Sequence, residues 1–117
     1  MLALSVIYED NHILVVNKTT GLLVQGDKTG DKSLLDLAKK YIKDKYQKPG
    51  EVFLGLVHRL DRPTTGVIVL ARTSKALSRL SQQFKERIPK KIYRAVVSGT
   101  PEPKATLEHY LRKNPSK

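Results

Sequence analysis

Residues 52–71 read VFLGLVHRLDRPTTGVIVLA, two apolar runs enclosing one polar loop. The runs 52–57 and 67–71 are rich in aliphatic and β-branched residues and too short for an amphipathic helix, so both read as buried strands. The loop between them, HRLDRPTTG at 58–66, holds a single carboxylate, Asp61, between Arg59 and Arg62. Pro63 fixes its own φ and Gly66 admits a conformation closed to other residues, so the loop is expected to be ordered. Working residues are commonly presented on such loops by a rigid scaffold. Two guanidinium groups beside a carboxylate favour its ionised form. That form suits a nucleophile or base, and it suits a structural ion pair equally well.

Outward from this stretch, 6–8 and 13–16 are short β-branched runs separated by the turn residues Glu9-Asp10-Asn11, which predicts a hairpin. Asn17-Lys18-Thr19-Thr20-Gly21 ends the second strand, and Leu22-Leu23-Val24 resumes an extended segment before the polar loop GDKTGD at 26–31. Ser33 followed by Asp36 resembles a capping box. Leu34, Leu35, Ala38, Tyr41 and Ile42 then recur on one face, predicting a helix over 33–46. Ser74 is placed to cap a second helix, with Leu77, Leu80, Phe84 and Ile88 on its apolar side. Residues 91–98 alternate as a strand does, Gly99-Thr100-Pro101 stops them, and 106–111 reads as a last strand. Strands outnumber helices without regular crossovers. The expected fold is therefore α+β, a mixed and mainly antiparallel sheet with two amphipathic helices in a single domain, 1–117.

Composition narrows the function classes. A chain of 117 residues with 39% hydrophobic and 28% charged residues is sized for one modest core, and no apolar run approaches the ~20 residues of a membrane helix. Met1-Leu2-Ala3-Leu4-Ser5 has neither a basic start nor a long apolar stretch, so a cytoplasmic location is expected. There is no cysteine, and His12, His58 and His109 are scattered without metal-ligand spacing, so no disulfide and no metal are expected. The net charge of +11 is uneven: residues 1–50 carry eight lysines against six acids, whereas residues 51–117 carry fourteen Lys or Arg against five acids, including all seven arginines. Such a distribution fits a polyanionic partner, and taken alone it fits a merely solvated cationic surface as well.

HRLD, followed by Thr65-Gly66 and the VIVLA strand, resembles the catalytic motif of the RluA-type pseudouridine synthases, in which the Asp is the essential residue. Upstream, LVVNK at 14–18 with GLLV at 21–24 resembles the first motif of that family. Downstream, KIYRAVVSG at 91–99 resembles the strand carrying its active-site tyrosine. Two local departures are visible: Thr19-Thr20 stands where the family commonly has Pro-Ala, and Thr65 where it commonly has Ser.

The resemblance implies part of a pseudouridine synthase catalytic domain, isomerising uridine in structured RNA, rRNA or tRNA, without a cofactor. It places Asp61 at the sugar, attacking C1′ or removing a ribose proton, and Tyr93 against the uracil. Arg62 resembles the basic residue that enters the RNA stack when the target nucleotide flips out. His58 and Arg59 are expected to support the loop or touch RNA. Lys18 and Arg94 join the expected RNA contacts, although each reads locally as a solvated charge. Family members continue into a further segment whose basic residue pairs with the Asp, and no equivalent is found in this sequence. An incomplete domain is therefore expected, binding RNA but turning it over poorly, with an uncovered sheet edge that favours self-association. Two readings compete with this one. A catalytically silent RNA-binding protein would use the same basic surface. A glycosidase would need a second carboxylate flanking the bond, and only Glu51 and Glu86 lie near in sequence.

Overall fold

In the computed structural model, which describes residues 4–114, Asp10 closes the first hairpin. Its Oδ1 accepts the main-chain N–H groups of His12 and Ile13 at 2.7 and 2.8 Å, and its own N–H donates to the Ile13 carbonyl at 3.0 Å. This aspartate turn joins β1 (Ser5–Glu9) to β2 (Ile13–Lys18), antiparallel, with a bulge between Val6 and Tyr8. The expected hairpin is therefore present. Met1, Leu2 and Ala3, part of the N-terminal stretch read above as lacking a basic start and a long apolar run, lie outside the described residues.

Next in the chain comes α1 (Leu34–Tyr46), and its capping box forms as read: the Asp36 N–H donates to Ser33 Oγ at 3.2 Å and the Ser33 N–H to Asp36 Oδ2 at 3.0 Å. The helix is followed by β3 (Gly55–Leu56), β4 (Gly66–Ala71) and α2 (Ser74–Lys85). The strand order is β1-β2-β4-β3, and every pairing is antiparallel. The architecture is α+β, a four-stranded antiparallel sheet with two helices.

Pairing of Leu14 with Leu70 and of Val16 with Ile68 sets four aliphatic side chains on one face of the sheet. All four are fully buried, and Leu34, Ala38 and Ile42 of α1 close over them together with Leu22, Val24, Val52 and Leu54. On β4 the alternate residues Val67 and Val69 point the other way, toward a cleft shared with Phe84 of α2. Gly55 lets α2 approach: a Cβ there would stand 2.7 Å from Leu77 Cδ1.

Several expected elements differ. The strand over 52–57 is reduced to β3, because only Gly55 and Leu56 find ladder partners, Ala71 and Leu70. Leu22-Leu23-Val24, expected as an extended segment, joins no ladder, and the Leu23 and Val24 carbonyls accept from Leu34 and Leu35 at the start of α1. The second helix is capped by Thr73 rather than Ser74 and ends at Lys85, leaving Ile88 outside it. Residues 91–98 and 106–111 form no strand: they run exposed, with no strand beside them among the described residues to complete a ladder. No helix among the described residues is long and apolar enough to cross a membrane.

Candidate active site

The loop between β3 and β4 is fixed at both ends and in the middle. At its start His58 Nε2 accepts the Val69 N–H at 3.0 Å, while the ring stacks on Phe84, with centroids 4.8 Å apart and planes 22° from parallel. Burial, and secondarily the Lys91 ammonium, push the His58 pKa below its usual value, consistent with a neutral ring that accepts through Nε2. At its end Gly66 has φ +149°, and Leu60 Cδ1 lies 3.1 Å from where a Cβ would stand. A side chain there would meet both backbone strain and Leu60.

The centre of the loop is a turn, closed by the Thr64 N–H donating to the Asp61 carbonyl at 2.9 Å. The segment after β2 grips this turn. Lys18 Nζ donates to the carbonyls of Arg62 at 2.9 Å, Leu22 at 2.6 Å and Thr19 at 3.0 Å. The Gly21 N–H also donates to the Arg62 carbonyl, at 2.9 Å, and Thr20 Oγ1 donates to the Pro63 carbonyl at 2.8 Å. Arg62 answers with its own side chain: Nε donates to the Gly21 carbonyl at 2.8 Å and Nη2 pairs with Asp31 Oδ2 at 2.7 Å. Gly21 reaches this docking geometry at φ +83°, a conformation glycine adopts freely.

Lys18 is 0% exposed, and its ammonium is occupied by three carbonyls. The expectation that it contacts RNA is corrected on this ground: the side chain is interior, and its role is to hold the turn. Burial first, and then the Arg62 guanidinium, lower its pKa, while the neighbouring Asp61 carboxylate opposes them.

Asp61 is exposed on the gripped turn, and among the described residues its carboxylate makes neither a hydrogen bond nor an ion pair. The plain ion-pair reading of this acid therefore fails, since Arg62 pairs with Asp31 instead. Arg59 is exposed and likewise makes no hydrogen bond or ion pair among the described residues.

Beside the turn lies an open cleft of about 740 Å³. Its floor includes His58, Val67, Val69 and Phe84, and Tyr93 and Arg94 line it from the later segment. Leu60 and Pro63 also line it, so Asp61 sits in the loop at its margin without being a lining residue itself. Tyr93 is 63% exposed, and Lys91 Nζ stands 5.7 Å from the centre of the Phe84 ring. The structure thus brings His58, Tyr93 and Arg94 to one cleft beside Asp61, turns Lys18 inward and ties Arg62 to the opposing loop. Sequence reasoning missed Asp31, Thr20 and the part played by Phe84 in this site. Phe84 was visible only as one of a helical row of apolar residues, and neither Asp31 nor Thr20 carries a local pattern that points across the chain to Arg62 or Pro63.

Comparison with known proteins agrees with the geometry. Residues 12–117 match the family described as RNA pseudouridylate synthase. The dual-specificity RNA pseudouridine synthase RluA of Haemophilus influenzae is 43% identical over 97 residues, covering 82% of this chain and 41% of that protein. A mitochondrial pseudouridylate synthase of Xenopus tropicalis is 40% identical over 99 residues, 85% of this chain and 30% of its own length. The ribosomal large subunit pseudouridine synthase D of Neisseria meningitidis is 38% identical over 117 residues, 97% and 30%. Among solved structures, human RNA pseudouridylate synthase domain containing 4 superposes with a TM-score of 0.60 at 31% identity, covering 72% of this chain and 30% of that one. The chain spans 30% to 41% of the length of these curated relatives. On its matching residues and its fold, the chain belongs to the RluA-type branch of the RNA pseudouridylate synthase family.

Proposed function

We propose that this chain supplies the aspartate loop and the base-facing cleft of a pseudouridine synthase acting on RNA. The observation that carries the reading is the contrast within one turn: its backbone is held from the opposing loop by Lys18, Thr20 and Gly21, yet the Asp61 carboxylate is left without a hydrogen bond among the described residues. A fixed backbone presenting an unengaged carboxylate is suited to meet a substrate, because little reorganisation remains at the moment of reaction.

In the reaction the N-glycosidic bond of a uridine breaks, the uracil turns while bound, C5 joins the ribose C1′, the C5 proton leaves, and the freed N1 takes up a proton. Asp61 acts at the sugar, by attack on C1′ or by removing a ribose proton. Tyr93 packs against the uracil in the cleft and assists loss of the C5 proton. Arg94 contacts phosphate and Arg59 meets the RNA at the flipped nucleotide, supported by their exposure and by the excess of Lys and Arg after residue 50. Relatives named for the ribosomal large subunit support rRNA as the substrate, and the relative named dual-specificity supports a second class of RNA, which we take to be tRNA. The cytoplasm is the place of action in this reading, as expected from the sequence. Two copies self-associate in the same reading, supported by exposed Ile92, Val96, Tyr110 and Leu111.

Release of tritium from RNA carrying C5-tritiated uridine, by a full-length relative carrying this loop, tests the reading. Asp61→Asn is expected to abolish release, by about 10³-fold or more, with the unfolding midpoint unchanged. Retained turnover in that variant excludes Asp61 as the catalyst, and unfolding of the variant returns it to a structural role.

A further inference from the structure

Asp31 lies outside all three stretches that carry the family resemblance, yet it is the acid that holds Arg62. The pair is exposed, 43% for the arginine side chain and 50% for the aspartate, and an isolated pair of this kind would contribute little. Two features set it apart. First, Asp31 stands on an organised turn. Asp27 Oδ1 accepts from the Thr29 N–H at 2.8 Å and from the Thr29 hydroxyl, Thr29 Oγ1 in turn accepts the Asp31 N–H at 3.2 Å, and Ser33, two residues on, is locked in the capping box of α1. A carboxylate already fixed by its backbone gives up little further freedom on pairing. Second, the guanidinium it grips also donates to the Gly21 carbonyl, while the Arg62 carbonyl accepts from Lys18 and Gly21. One side chain thus joins three segments at the residue next to Asp61.

We propose that Asp31 is a positioning residue for the reaction: by holding the Arg62 guanidinium against the Gly21 carbonyl, it sets the turn that aims the Asp61 carboxylate. The inference rests on the function proposed above. Asp31 touches neither sugar nor base. It acts through Arg62, so removing either partner releases the same turn.

The test uses the full chain with Asp31→Ala, Asp31→Glu, Arg62→Ala and the Asp31→Ala/Arg62→Ala double variant. Single-turnover conversion of uridine is measured at saturating RNA, RNA affinity is measured separately, and exchange of the Gly21 amide is followed without RNA. The expected result for Asp31→Ala is a rate about tenfold lower with affinity changed less than about twofold, since a misaimed group costs the chemical step rather than binding. Asp31→Glu recovers most of the rate, the double variant loses no more than Arg62→Ala alone, and the Gly21 amide exchanges faster in Asp31→Ala. Additive losses in the double variant overturn the proposal, as does a loss confined to RNA affinity. Should the unsubstituted chain convert no uridine, as an incomplete domain would not, the synthase reading is tested separately in a full-length relative carrying this loop. The exchange arm still decides the role of Asp31: unchanged Gly21 protection in Asp31→Ala overturns it, and faster exchange upholds its grip on the turn.

Discussion

The ammonium of Lys18, at the end of β2, lies 2.9 Å from the carbonyl of Arg62, 44 positions along the chain, and is fully buried. A lysine in the interior is tolerated when each of its three protons has an acceptor, and here the Thr19, Leu22 and Arg62 carbonyls provide them. The first motif thereby acts as the clamp on the second.

Replacing Lys18 with methionine keeps most of the stem volume and leaves those carbonyls short of a donor. A loss of about 2–4 kcal/mol in unfolding free energy is expected, on the scale of orphaned buried acceptors. Lys18→Arg is expected not to rescue it, because a planar fork cannot point three donors at three converging carbonyls. Urea denaturation of both variants checks this, and a Lys18→Met protein as stable as the parent would show that the carbonyls are satisfied some other way.

His58 predicts a pH effect. Its pKa is lowered in the folded chain, so the unfolded chain binds the proton first as pH falls. The contribution of neutral His58 is therefore complete above about pH 6.5, the ordinary histidine value, and declines as pH drops from there toward the folded pKa. Protonation also removes the acceptor from the Val69 N–H. Exchange of the Val69 amide, corrected for intrinsic rates, is expected to accelerate below pH 6.5 in the parent chain. It is expected to be faster throughout, with that pH dependence lost, in His58→Phe, which retains a ring to stack on Phe84 but offers no acceptor.

What could be read from the sequence follows from the range of each interaction. The Ser33–Asp36 box spans three residues and the Asp10 turn fewer still, so both show in the local pattern. The buried strand 66–71 announces itself by composition. By contrast, Arg62 looks tied to Asp61, its neighbour in sequence, and is instead paired with Asp31, because the fold brings the loop before α1 across the turn. Lys18 looks solvated for the same reason: nothing in residues 17–21 reveals that the chain returns above it. Residues 91–98 have the alternation of a strand, but alternation supplies only a face, and a ladder needs a neighbour. The identity of the loop was thus legible, while its support was not.

The two arginines flanking Asp61 should separate by substrate. Arg62, expected from the sequence to enter the RNA stack, would have to give up both the Gly21 carbonyl and Asp31 to do so, whereas Arg59 carries no such contacts among the described residues. Arg59→Ala is therefore expected to weaken binding of a stem-loop RNA by about 1 kcal/mol or more while sparing an RNA whose target base is already unstacked. Arg62→Ala is expected to slow conversion of both RNAs alike. Fluorescence titration and tritium release on the two substrates check this, and the reverse pattern would restore Arg62 as the residue that fills the vacated stack.

The segment after α2 leads to the last expectation. Ile92 is 75% exposed, and Val96, Tyr110 and Leu111 are almost wholly so. Beyond the two residues paired with β3, the outer side of β4 has no strand beside it among the described residues. Aliphatic residues with strand-like alternation and an open ladder edge favour pairing between copies, and the positive charge of the same segment opposes it. Association is therefore expected to rise with protein concentration and with salt, as screening weakens the repulsion while the apolar contact persists. Val96→Lys and Leu111→Lys, each adding charge and removing apolar surface, are expected to shift the population toward monomer. RNA should act in the same direction as salt on the charge but compete for the basic surface, so saturating RNA is expected to lower the fraction of protein pairs. Sedimentation at several concentrations, with and without RNA, reads all three effects. A monomer at every concentration and salt would show that the exposed run does not pair between copies, since screening would already have removed the repulsion.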